Sequence, residues 1–171
     1  MVIPSNVMKS IEKKPTDNNF IYGAEMLYKR LSDVIAGKVE YCFYDMATAA
    51  NCLEMYYKGM LEASGCNVSP TVMYESHNLK ELYNLVCIEC IPLTPNADIQ
   101  TQRDIGRFLK ELSAEYINAR YNASCPLESE FKGVMEFITS HREKIMSTLD
   151  PDRSWDSNKP KQEYVPDWME K

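Results

Sequence analysis

Glycine is scarce in this chain: six are scattered singly through 171 residues, so no glycine-rich loop can cradle a phosphate. Histidine is rarer, limited to His77 and His141. Basic charge is also short. Nineteen Lys and Arg face 25 Asp and Glu, for a net charge of -6 and a pI near 5.0. That excludes broad phosphate-tracking binding to nucleic acid, which needs a basic stripe, and leaves open a local basic pocket. No apolar run approaches the roughly 20 residues needed to span a bilayer. The start, Met1-Val2-Ile3-Pro4-Ser5, lacks the basic-then-apolar order of a signal peptide. A soluble, cytoplasmic protein without a membrane partner is expected.

Enzyme templates are missing as well. The chain has no Gly-Lys-Ser/Thr loop, no Gly-x-Ser-x-Gly and no His-Glu-x-x-His, and nothing marks two carboxylates as a catalytic pair. Among the six cysteines, Cys42, Cys52, Cys66, Cys87, Cys90 and Cys125, only Cys87 and Cys90 are closely spaced, as Cys-Ile-Glu-Cys. A zinc site needs a second such pair, and a redox motif needs a βαβ setting; neither is present. Free thiols, no metal and no cofactor are the expectation.

What is present is helical periodicity. Phe20, Ala24, Leu27, Leu31, Val34 and Ile35 recur at three- and four-residue steps from Asp17, and Gly37 is a stop. Residues 40–64 place Met46, Ala50, Leu53, Tyr57, Met60 and Leu61 on one face, ending at Gly65. A third helix is predicted from an N-cap at Ser76, with Leu79, Leu82, Tyr83 and Val86 as its stripe. A fourth, about 97–121, carries Ile105, Phe108, Leu109, Leu112, Tyr116 and Ala119. Pro126 opens a fifth, with Phe131, Val134, Met135, Ile138, Ile145 and Leu149 inside and Asp150-Pro151 as its stop. No useful strand alternation occurs. The reading is an all-α, five-helix up-and-down bundle over 17–150, with an N-terminal arm (1–16) and a C-terminal tail (151–171).

Several residues in these segments carry chemistry. Glu54 and Lys58, one turn apart with the acid first, read as a solvated pair contributing about 0.2 to 0.5 kcal/mol, or else Lys58 rims a phosphate groove. His77, in the first turn after Ser76, is either a locally hydrogen-bonded helix-start residue or, with Asn78, one wall of a nucleotide site. Arg120 falls roughly 70° from the centre of its helix's stripe, where it either caps the C-terminus or reaches a groove between helices. Arg103 and Arg107 fall on the opposite, solvated face. His141 projects to the edge of the last helix's stripe and Arg142 near its middle. Arg142 must therefore snorkel, or pair with an acid or a phosphate.

The order of these features resembles the HEPN domain family, the higher eukaryotes and prokaryotes nucleotide-binding domain. Ala50, Glu54 and Lys58 stand at four-residue steps before Met60-Leu61, as in one family helix. Ser76-His77-Asn78-Leu79 is similar to its His-polar-Leu helix start, and Asn118-Ala119-Arg120-Tyr121 to its Ala-Arg-Tyr ending. The resemblance covers about residues 20–149. It implies a helical, dimeric module with Arg120, Tyr121, His77, Asn78 and Lys58 around a nucleotide, and His141, Arg142 and Glu54 as a further polar cluster. In many members an arginine is followed, after four to six residues, by a histidine that completes a ribonuclease pair. Here that window holds Cys125, Pro126 and Leu127, so no catalytic residue is assigned.

The expectation is thus a catalytically silent domain binding a nucleotide, an RNA end or a protein partner. The alternatives are a divergent, metal-independent ribonuclease of toxin or defence type, with His141 or His77 replacing the missing histidine, and a partner subunit of a nucleotidyltransferase. A homodimer is expected through Tyr56 and Met60 at the edge of the second helix's stripe. The tail, with Trp155, Tyr164, Val165 and Trp168, is expected to dock near the ligand groove.

Overall fold

A helix walled by its neighbours lies at the centre of the molecule. The structure, a computed structural model, describes residues 18–120 and 126–154, without the side chains of 116–120. Among these residues there are six helices: α1 (Asn19–Ile35), α2 (Asp45–Ala63), α3 (Pro70–Glu75), α4 (Leu79–Glu89), α5 (Ile99–Arg120) and α6 (Glu128–Leu149). No described residue is in a strand. The all-α expectation holds, with one helix more than the periodicity suggested. Both expected terminal segments lie outside the described residues, apart from 151–154.

α2 packs against α1, α4, α5 and α6. The face expected to be buried, Met46, Ala50, Leu53, Tyr57, Met60 and Leu61, is buried, and so are Ala49, Cys52, Tyr56 and Gly59. A helix with neighbours on most sides loses its polar face. That overturns the expected dimer contact: Tyr56 and Met60 are both 0% exposed within their own bundle and offer no surface to a second copy.

Local chemistry sets the helix ends. Asn18 caps α1, its side-chain oxygen accepting from Phe20 and Ile21 N–H while its amide donates to the Gly59 carbonyl at 2.9 Å. Gly37 and Gly65, the two expected stops, take the left-handed backbone (φ 73° and 68°) that ends a helix. Ser69 caps α3, with Pro70 in its first turn. The predicted cap at Ser76 is displaced: Ser76 closes α3, and Asn78 caps α4 by accepting from Glu81 N–H. His77 therefore sits in the junction between two helices, not in a first turn with free N–H groups. Asp98 starts α5 by accepting from Thr101 N–H at 2.7 Å, and α6 ends at Asp150-Pro151 as expected. No helix among the described residues is long and apolar enough to cross a membrane.

α2 and α4 run in the same direction. Glu54 of α2 meets His77 just before α4, and ten residues later Ser64, closing α2, meets Cys90, closing α4. The short α3 belongs to the crossover that returns the chain for this parallel pairing, so the expected up-and-down order does not hold between α2 and α4.

Candidate functional site

Three polar assemblies interrupt the apolar interior. The first lies where the start of α4 meets α2. Lys58 Nζ donates to Glu54 Oε1 at 2.6 Å, and both side chains are nearly sealed, at 4% and 7% exposed. His77 Nδ1 lies 3.0 Å from Glu54 Oε2, with 55% of its side chain open to solvent. One carboxylate thus joins a buried ammonium to a surface imidazole. Neither sequence reading of Glu54 and Lys58 survives. They are not a solvated pair, because both side chains are sealed among the helices packed around α2, and Lys58 is too deep to rim a groove. Burying both charges is tolerable only because they meet directly. Asn78 is exposed, and its side chain caps α4.

The same corner brings α5 close. Leu79 N–H donates to Ser113 Oγ at 3.1 Å, and the Ser113 hydroxyl donates to the Leu109 carbonyl. From Ser113, α5 runs seven more residues to Arg120, about 10 Å and two turns, so position 120 returns to the face that carries Ser113. The side chain of Arg120 and the whole of Tyr121 lie outside the described residues. Arg103 and Arg107 are exposed as expected.

The second assembly joins α1 to α6. Glu25, 4% exposed, accepts from Arg142 Nε at 2.8 Å and Nη2 at 3.0 Å, and from the Tyr56 hydroxyl at 2.7 Å. The Arg142 guanidinium also lies 4.5 Å over the Tyr28 ring. Snorkelling is therefore replaced by a bidentate pair with an acid of another helix. Burial alone would lower the guanidinium's pKa, but the bonds and charge of Glu25 hold it above its ordinary value. Beside it a cavity of about 320 Å³ is lined by Arg142, Glu143, Met146, Ser147, Asp150 and Arg153. Glu25 falls in none of the sequence motifs. Its signal was its position, four residues after Ile21 and next to Ala24 on the apolar side of α1.

The third assembly surrounds His141, which is 1% exposed. Its Nδ1 shares a 2.6 Å hydrogen bond with the Tyr57 hydroxyl. Tyr83 stacks at 5.8 Å, and Phe137 lies at 4.1 Å. Burial, with Lys144 nearby, pushes its pKa down to about 3, so the imidazole is neutral at pH 7. Burial likewise raises the Tyr57 hydroxyl well above its ordinary value. The expected order is reversed here, with His141 sealed and Arg142 at the edge.

No group of three or more His, Cys, Asp or Glu among the described residues is placed to hold a metal ion. Comparison with protein-family models, curated proteins and solved structures returns no match for this chain.

Proposed function

We propose that the protein is a catalytically silent, HEPN-like module that binds a phosphate carried by a nucleotide or an RNA end, rather than cleaving RNA. The observation that carries this reading is the sealing of one of the chain's two histidines. His141 is buried and neutral against Tyr57, which leaves His77, oriented at Nδ1 by Glu54, as the single imidazole at the surface. Cleavage needs an acid and a base that reach the reacting atoms. A single arginine stabilises phosphate charge without moving a proton. The binding edge is the corner where the α4 start meets α5, with His77 at the surface and Arg120 two turns past Ser113. The buried Glu54–Lys58 pair fixes the His77 side of that edge. The same reading includes a homodimer built through a surface other than Tyr56 and Met60; a partner subunit of a nucleotidyltransferase is the alternative to it.

Titration calorimetry with ATP and with a 5′-phosphorylated oligoribonucleotide tests the proposal. Binding should weaken about tenfold or more in Arg120→Ala and in His77→Ala, with the RNA recovered uncut. No heat with either ligand would refute binding. Cleavage lost in both Arg120→Ala and His141→Ala would establish the ribonuclease instead. Light scattering at tens of micromolar reads the dimer, and a monomer mass would remove it.

A further inference from the structure

Two cysteines that are distant in sequence meet where α2 and α4 end. Cys66 Sγ and Cys90 Sγ are 3.6 Å apart across a separation of 24 positions, in van der Waals contact. The sequence had singled out Cys87 with Cys90, yet the sulfur beside Cys90 belongs to Cys66. Ser64 Oγ lies 2.7 Å from Cys66 Sγ and 3.0 Å from Cys90 Sγ. The Ser64 hydroxyl, which also reaches the Leu61 carbonyl at 2.9 Å, sits between the two sulfurs and bridges them. Both cysteines follow helix ends, where the backbone can adjust. Cys66 comes one residue after the left-handed Gly65, and Cys90 is the C-cap of α4.

We propose that Cys66 and Cys90 form a reversible dithiol site that a peroxide oxidises to an internal disulfide. The two sulfurs have unequal roles. Cys66 is half-buried, on the loop after α2, and can meet an oxidant. Cys90 is 1% exposed, and burial pushes its thiol up to about 12, against the pull of the Ser64 hydrogen bond. Cys66 is accordingly the attacking thiolate and Cys90 the resolving thiol.

In the first step the Cys66 thiolate displaces hydroxide from hydrogen peroxide, giving a sulfenic acid, and a proton from solvent converts the hydroxide to water. In the second step the Cys90 sulfur displaces the sulfenic hydroxyl. The S–S bond forms, the S–O bond breaks, and the Cys90 proton leaves with the hydroxyl as water. Two thiols and one peroxide thus become one disulfide and two waters, and a dithiol reductant reverses the change. The resulting link closes the chain from 66 to 90, which contains α3, His77 and α4.

The test uses the full chain with a few equivalents of hydrogen peroxide, read by intact mass and non-reducing peptide mapping. Wild type should lose about 2 Da, with the Cys66 peptide joined to the peptide carrying Cys87 and Cys90. The loss should persist in Cys87→Ser, vanish in Cys66→Ser and Cys90→Ser, and reverse with dithiothreitol. Thermal melting should rise by roughly 5 to 10 °C on oxidation in wild type and stay level in Cys66→Ser, whose partly exposed site tolerates the change. A link that survives in Cys66→Ser, or a gain of about 32 Da on Cys66 without any link, would overturn the assignment. So would six thiols still titratable after treatment.

Discussion

Glu25 and Arg142 stand 117 positions apart and meet through two parallel hydrogen bonds of 2.8 and 3.0 Å. The acid is sealed, while a quarter of the arginine side chain reaches solvent. The two halves of the pair are therefore not equivalent.

That asymmetry sets the cost of breaking it. Arg142→Met leaves a buried carboxylate with only Tyr56 as a described partner and should destabilise by about 3 kcal/mol, the lower end for a buried pair. Glu25→Leu lets the arginine turn outward and should cost about 1 to 2 kcal/mol. The double variant should recover much of the larger loss. Urea unfolding measures all three, and a double variant as unstable as the sum of the singles would contradict a coupled pair.

His141 makes stability sensitive to acid. An unfolded histidine binds a proton below about pH 6.5, whereas the folded one resists until about pH 3. The unfolded state thus holds the extra proton between these values. Stability should fall as pH drops through that window, by about 1.4 kcal/mol per unit. Asn at this position can keep a hydrogen bond to Tyr57 without titrating. Between pH 6.5 and 4.5, above the range where most carboxylates protonate, His141→Asn should show a clearly shallower slope in pH-dependent melting. Equal slopes would mean that His141 protonates in the folded state.

Gly59 is a point of close approach between helices. A Cβ there would stand 2.4 Å from Ile21 Cδ1 and 3.1 Å from the Ile21 backbone nitrogen, whereas one on Gly133 would meet nothing within 4 Å. Gly59→Ala should therefore destabilise by about 1 to 3 kcal/mol, although alanine is the better helix former. Gly133→Ala, in the open on α6, should stabilise by about 0.5 to 1 kcal/mol. The two changes in parallel separate packing from propensity, and a stabilising Gly59→Ala would refute the close contact.

Most of the framework was legible from spacing. The stripes of α2, α4 and α6, that of α1 apart from the exposed Ile35, that of α5 as far as Leu112, and the stops at Gly37 and Gly65 follow from where apolar side chains and left-handed backbone fall; the side chains of Tyr116 and Ala119 lie outside the described residues. α3 was not legible, because none of its six residues is fully buried and only Val72 and Met73 pack against the core, too few for a stripe. Without it, Ser76 looked like a helix start and His77 like its first residue. The polar assemblies failed for another reason. A Glu–Lys pair one turn apart looks the same on a surface as inside, and only the number of neighbours around α2 decides which it is. Arg142 was expected near the middle of the stripe and His141 at its edge, the reverse of what is found, and the partner of Arg142 lies on α1, which no local pattern could supply. Cys66 and Cys90 illustrate the same limit, since adjacency across a parallel crossover leaves no trace in spacing.

The central position of α2 bears on how this protein tolerates change. Buried on most sides, with two charges that must keep each other, α2 has almost no position where a new side chain could enter without a matching change elsewhere. The outer faces of α4, α5 and α6 are under no such constraint. Accepted substitutions are therefore expected to gather on those three helices, while α2 admits little besides changes that preserve volume and charge together. The helix richest in polar signals would then be the one least able to diversify.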